Sequence, residues 1–466
     1  MVLSKKSGYH SAQKKSAREL ALRLLKEVEE KESYINLALN RMLSKISLEG
    51  EERSFLTELT YGVVQRRNTL DWVISRYSRR PLEEMTAWIR NILRMGAYQL
   101  LYMERVPDSA AVDEAVKLSH RYGHKGVSGL VNAVLRKISY ERESIPWPSR
   151  DTDPARYLSL YYSYPLWMVE RWIDNLGLEE CEALCAAGNI PPPLTVRANT
   201  LKLDREELKK ELLADGAIVK ECRYAPQGLQ LRHQGRLIDL ESFRKGHFQI
   251  QGEASMLVPP LLNPQPEESV LDLCAAPGGK TVHMAALMQN RGTIVAADLY
   301  QHRLRLIEAA ARRQGVAIIG TEKIDGRCMP ADRAGFFDRV LLDTPCSGLG
   351  VIRRKGDLKW RRRSEDIESL SQLQLDLLRG AFFALKEGGV LLYSACSVEP
   401  EETVQVMEKF LRQEPLARLS ALSPFLPESF KDEEKEEGML YLWPHRHGLD
   451  GFFLCRILKK GTRPAI

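Results

Sequence analysis

The chain has 466 residues, 44% hydrophobic and 28% charged, with a mean hydropathy of -0.31. That length exceeds what one core supports, so about two to four domains are expected. No apolar run approaches the ~18 residues of a spanning helix, which excludes such a helix, and no membrane partner is expected.

Charge placement says more than the net value of +6. The first 150 residues hold 26 lysines and arginines against 18 acids, and the remainder 42 against 44. A basic first third on a neutral remainder points to a polyanion such as nucleic acid. The eight cysteines are scattered, and the basic start (residues 1–15) lacks an apolar segment of secretory type. Both features predict a reducing, cytoplasmic compartment. Cys181 and Cys185 lie in a helical stretch, and His445 and His447 have no cysteine neighbours, so no metal is assigned.

Taken in chain order, residues 12–140 read as helix almost throughout. Leu20, Leu24 and Val28 form one apolar face, and similar patterns recur to about residue 140. Val106-Pro107-Asp108-Ser109 is a break in which Asp108 or Ser109 is placed to cap the next helix. An all-α domain is expected over 1–145. The proline-rich stretch 144–154 reads as a linker. Helical segments over 155–188, a strand in LTVRAN, the helix DREELKKELLADG and the pieces GLQLR and HFQIQ then predict a small α+β domain, assigned with the linker to 146–265.

From residue 269 the pattern alternates. SVLDLC, GTIVAADL, FDRVLLD and GVLLYSAC read as strands, with amphipathic helices between them. A Rossmann-like, mostly parallel, doubly wound α/β domain over 266–466 is expected, with ligands at the carboxyl ends of its strands. KDEEKEEG (431–438) reads as a solvated loop.

The first of these strands runs into Asp272-Leu273-Cys274-Ala275-Ala276-Pro277-Gly278-Gly279-Lys280-Thr281. Its Gly-Lys-Thr ending lacks the earlier glycine of a P-loop, where Cys274 stands, and G-x-G-x-x-G is absent. A compact turn of this kind suits a nucleoside ligand without a pyrophosphate, such as S-adenosylmethionine. Asp298, about 20 residues on, is placed for ribose hydroxyls, and Asp325 for the adenine.

The fourth and fifth strands end in Asp343-Thr344-Pro345-Cys346-Ser347-Gly348 and Ala395-Cys396-Ser397. Two thiols beside a nucleoside site suit one difficult reaction. Carbon 5 of cytosine becomes nucleophilic once a thiolate adds to carbon 6, and a second group must assist the later elimination. Asp343 is placed to act at N3, and Lys280 to hold charge nearby. Spacing alone leaves the order of the two thiols open. Arg353, Arg354, Lys355, Lys359, Trp360 and Arg361 then form a cationic run around an aromatic, suited to RNA phosphates and stacking.

Together CAAPGGKT, AADL, DGR, LDTPCSGLGVIRRKGDLKW, YSACSVEPEE and DGFF resemble the Nol/Nop/Sun family of RNA cytosine-5 methyltransferases, over the last 200 residues and in the family's order. The first third resembles the NusB RNA-binding fold. The resemblance implies S-adenosylmethionine as cofactor and 16S ribosomal RNA or a small-subunit precursor as partner. It also implies carbon 5 of cytosine 967 as target; no DNA partner is expected, and a monomer is the expected state. It implies that Cys274, Ala275, Ala276, Pro277, Gly278, Gly279 and Lys280 line the cofactor. Asp298 would hold the ribose, Asp325 lie near the adenine and Asp343 stand between cofactor and base. Cys396 would be the nucleophile and Cys346 its helper. Thr344 and Ala395 depart from the family's usual residues, and neither removes a reacting group. Two rival readings are an amino-group methyltransferase, from the loose Asp343-Thr344-Pro345 likeness, and a non-catalytic NusB-like RNA-binding factor.

Overall fold

The computed structural model describes residues 16–46, 48, 50–233, 235–434 and 436–461, so the basic stretch 1–15 lies outside the described residues. Two compact units divide the chain, 1–171 and 172–466.

In the first unit, helices run over Ala17–Lys31, Ile35–Leu43, Gly50–Gln65, Arg67–Tyr77, Ala87–Tyr102, Asp108–Tyr122 and Lys125–Glu141. Ser16 caps the first by accepting the Glu19 N–H, and Leu20 and Leu24 turn into the core as their spacing predicts. The cap expected at Asp108 or Ser109 does not form. Pro107 precedes the helix with no side-chain bond, and Asp108 instead accepts from Ser139 Oγ at 2.6 Å and Arg142 at 3.2 Å. Proline presets the dihedral before the helix, which frees the aspartate for a tertiary contact. Beyond the proline-rich stretch, the helix Pro154–Tyr161 is capped by Asp153 and packs back on this unit. Thr69 Oγ1 donates to Leu160 O at 2.6 Å, and Asn68 to Ser159 O at 3.1 Å.

The second unit begins with helices and a four-stranded antiparallel sheet. Its strands are β1 (Leu194–Ala198), β2 (Ile218–Glu221), β3 (Gly228–Arg232) and β4 (Phe248–Ile250), in the order β2-β3-β1-β4. Asp204 and Glu207 close a capping box on the helix Arg205–Ala214, whose Leu208 and Leu212 pack against Val196, Leu229 and Phe248. Glu253–Leu262 is helical and packs Leu257, Val258 and Leu261 onto the larger sheet.

That sheet contains β5 (Ser269–Leu273), β6 (Thr293–Asp298), β7 (Ile319–Lys323), β8 (Phe337–Asp343), β9 (Leu385–Ala395), β10 (Ala417–Leu419), β11 (Met439–Leu442) and β12 (Phe452–Lys459). The order is β10-β12-β9-β8-β5-β6-β7, with β11 on β12. The run β7-β6-β5-β8-β9 is parallel and β12 is antiparallel to β9. The chain therefore reverses its direction of progress between β5 and β8, and a crevice opens at their carboxyl ends. The stretch 431–438 is not a simple solvated loop. Glu434 accepts the N–H groups of Leu422, Ser423 and Gly438 at 2.6–2.7 Å, because three converging amides need one acceptor. Among the described residues no helix is long and apolar enough to cross a membrane.

Candidate active site

The crevice is lined first by the turn after β5. Cys274 has a positive φ of 69°, and Gly278 one of 96° before the helix Gly279–Leu287 begins. A Cβ at Gly278 would stand 3.0 Å from Ile307 Cα, so both conformation and space call for glycine there. A Cβ at Gly279 meets nothing within 4 Å, leaving room beside the first helical amides. Burial pushes the Cys274 thiol well above its ordinary range, which makes it a packing group.

Three carboxylates face this turn. Asp298 ends β6, is only 5% exposed, accepts the Tyr300 N–H at 3.0 Å and has Arg303 4.0 Å away. Asp272, on β5, accepts from Thr281 Oγ1 at 2.6 Å, while its other oxygen has no hydrogen-bond partner. Burial pushes it up to about 7. The charges of Asp343 and Asp298 add to that, and the Thr281 bond and Lys280 oppose it. Asp343, at the end of β8, receives Lys280 Nζ at 2.6 Å and Ser394 Oγ at 2.5 Å. Asp325 follows β7 but is turned toward Arg327, which donates to both of its oxygens at 2.9 and 2.6 Å. Contact with an adenine would require that pair to open.

The turns after β8 and β9 bring Cys346 Sγ and Cys396 Sγ to 3.1 Å, both as free thiols. They ionise as one unit. Cys396 is the member drawn below the ordinary thiol range, chiefly by its bond with Cys346. Lys280 and Lys355 add positive charge, against burial and Asp343. Cys346 is held high by the same bond and by burial. The two turns also share backbone bonds: Gly350 N donates to Cys396 O at 3.0 Å, and Gly451 N to Gly350 O at 2.7 Å. A Cβ on Gly350 would fall 2.1 Å from Gly451 O, so the DGFF segment abuts the thiol loop only because both residues are glycine.

The cationic run departs from its expected role. Lys359 is fully buried and so is withdrawn from phosphate contact. Arg354 Nε pairs with buried Asp450 at 2.6 Å, and Arg353 Nη1 donates to Gly448 O and Leu449 O. Arg361 lies 3.6 Å from Asp357. Arg353 and Arg354 tie the thiol loop to the segment before β12, because closely approaching backbone carbonyls and a buried acid need donors. Lys355 remains exposed and Trp360 half-buried. Sequence reasoning missed Arg362, which donates to Ser347 O at 2.8 Å and Cys346 O at 3.3 Å. It also missed Gln374 and Glu402, which reach the same loops. The serine after each cysteine was the available signal. His445 bonds Glu180 at 2.7 Å, and His447 Nδ1 accepts the Trp443 N–H at 2.8 Å.

The residues present fit S-adenosylmethionine. An open glycine turn faces free helical amides, a buried carboxylate ends the second strand of the parallel run, and no pyrophosphate loop is present. A doubly wound sheet with an antiparallel β12 and this turn defines an S-adenosylmethionine-dependent methyltransferase. Residues 259–458 match the family described as 16S rRNA methyltransferase RsmB/F, 15–140 the NusB family, and 164–237 the RsmF/B-like ferredoxin-like domain. The chain is 39% identical to a probable ribosomal RNA small subunit methyltransferase B of Bacillus subtilis, over 96% of this chain and 100% of that one. A protein of the same description from Synechocystis is 37% identical, over 95% and 99%. The solved NSun6 of Pyrococcus horikoshii, carrying SFG, is 25% identical with a TM-score of 0.58, covering 65% of this chain and all of that one.

The chain belongs to the 16S rRNA methyltransferase RsmB/F family, and is an RNA methyltransferase with a NusB-like helical domain and a ferredoxin-like middle domain.

Proposed function

We propose that this protein methylates carbon 5 of a cytosine in 16S ribosomal RNA, at the position implied by the family likeness, cytosine 967. The observation that carries this reading is the pair of free thiols 3.1 Å apart at the ends of adjacent strands, beside the Lys280–Asp343 pair. An amino-group methyltransferase has no use for two such thiols. Residues 1–145 and 146–265 contact RNA, and 266–466 carry the chemistry. The enzyme acts as a cytoplasmic monomer on RNA and not DNA. The basic first third and the names of the relatives support an RNA substrate.

S-adenosylmethionine, when bound, supplies an electrophilic methyl group. Cys274 through Lys280 would hold it with Asp298 at the ribose and Asp325 near the adenine. Cys396, the more acidic thiol, adds as thiolate to carbon 6 of cytosine, which makes carbon 5 nucleophilic. N3 takes up the proton that Cys396 gives up on adding, and Asp343, which also accepts from Lys280 and Ser394, accepts the hydrogen bond of that N3–H. After methylation, Cys346 assists loss of the carbon 5 proton and release of Cys396.

The test is transfer of a labelled methyl group to small-subunit ribosomal RNA, free and in precursor particles, followed by digestion to nucleosides. Label in 5-methylcytidine is expected. Label in an N-methylated nucleoside would return the amino-group reading.

A further inference from the structure

Glu402 closes the short turn Pro400–Glu402 beyond the second thiol loop and is fully buried. Its carboxylate accepts the Ser347 N–H at 2.7 Å, Gln374 Nε2 at 3.2 Å, and the hydroxyls of both Ser347 and Ser397. These two serines directly follow Cys346 and Cys396. Tyr393, on β9, donates its single hydroxyl proton toward Glu402 O at 2.7 Å, with Gln374 Oε1 sharing it at 3.1 Å, which fixes the acid from behind. All four carboxylate donors are uncharged. The arginine of this loop, Arg362, is spent on the carbonyls of Cys346 and Ser347.

We infer that Glu402 is the positioning residue of the thiol pair. Through Ser347 and Ser397, one buried carboxylate ties the turns after β8 and β9 so that the two sulfurs stay in contact. The inference rests on the two-thiol reading above. A buried carboxylate is costly unless its lone pairs are filled, and here the bonds that fill them come from the residues next to the thiols. Simple structural glue is served as well by neutral or apolar groups, so an enclosed charge at this place has a further consequence. The negative charge of Glu402 adds to the Cys396 bond and to burial in keeping the Cys346 proton in place. Cys346 thereby remains the donor of the pair and Cys396 the acceptor. The same carboxylate thus holds the spacing of the thiols and adds to what keeps the proton on Cys346.

The test is substoichiometric iodoacetamide labelling of the intact protein, mapped by mass spectrometry across pH, alongside calorimetry with S-adenosylmethionine and methylation rates. In the unmodified protein the label should fall on Cys396. In Glu402→Gln it should spread to Cys346, and the pH midpoint of Cys396 labelling should rise because its donor is loosened. Methylation should fall by about 10²-fold, the order expected for a small displacement of reacting groups. Cofactor affinity should stay within about twofold, since β5 and β6 carry that site. Ser397→Ala should move the labelling in the same direction by less, and it carries the test if the Glu402 variant does not fold. Labelling ratios and midpoints that match the unmodified protein in the folded variants overturn the inference. Absence of any 5-methylcytidine from the unmodified enzyme would overturn the function above, and the labelling ratio would still decide the role of Glu402.

Discussion

In the helical unit, buried Glu19 meets Arg121 at 2.6 Å and Arg23 at 3.2 Å, and buried Arg94 meets Asp71 at 2.6 Å and Glu29 at 3.2 Å. At the crevice, Asp272 and Glu402 are as deeply enclosed, yet their hydrogen bonds come from hydroxyl, amide and backbone groups. Opposed ions cancel each other's fields and lock helices together. A carboxyl group held by neutral donors has no opposed ion to cancel it, so its charge state stays coupled to burial and to the next titratable group. The first arrangement builds a scaffold, and the second tunes a site.

The sharpest way to break this comparison is at the thiols, where the largest effect is expected. Cys396→Ala should abolish methylation and form no covalent RNA adduct, while Cys346→Ala should stall with RNA attached. The double variant should resemble Cys396→Ala, since members of one catalytic unit do not add independently. A denaturing gel with labelled RNA reads all three. An adduct in Cys396→Ala alone would reverse the roles.

Next in size is the scaffold. Arg94→Met strands Asp71 and should cost about 3–5 kcal/mol in the helical unit, as breaking a buried pair does. Chemical denaturation followed by tryptophan fluorescence measures it. Cofactor affinity should not change, and a matching loss of affinity would show that the two regions are not separable in this way.

Asp272 gives a pH signature. Its folded value of about 7 lies above the ordinary carboxyl range, so the native state holds a proton that the unfolded state has lost. Stability from this group is therefore full below about pH 4 and is lost as pH rises toward 7. Relative to the unmodified protein, Asp272→Asn should gain stability over that interval, by about 2–4 kcal/mol in all. Melting curves at pH 5 and 8 would detect it, and parallel curves would show that the carboxyl is not held high.

Asp298→Ala should have the smallest effect, weakening cofactor binding by about 1.5–3 kcal/mol through loss of a charge-assisted bond. Calorimetry is the measure, and unchanged affinity would remove Asp298 from the site.

Much of the frame was legible because periodicity and turn chemistry are local. The strands β5, β6, β8 and β9 run where alternating apolar segments were read, and the glycine turn follows β5 as expected. β2 was missed because IVKE is short and its Ile218 is exposed, so no apolar run marks it. The helix Glu253–Leu262 was missed because Pro259 and Pro260 stand in its last turns, where they remove donors that its packing makes dispensable.

By itself the amino-acid sequence determined the alternation of elements, the residue types at the strand ends and the loops that follow them. All of these depend on neighbours a few positions apart. Only the tertiary structure decided which charges meet. It buried Lys359, gave Arg354 to Asp450, and set Glu402 between two serines 50 residues apart. Those outcomes follow from pairing of distant strands and from the demand that every enclosed polar group find a partner, which no local pattern encodes.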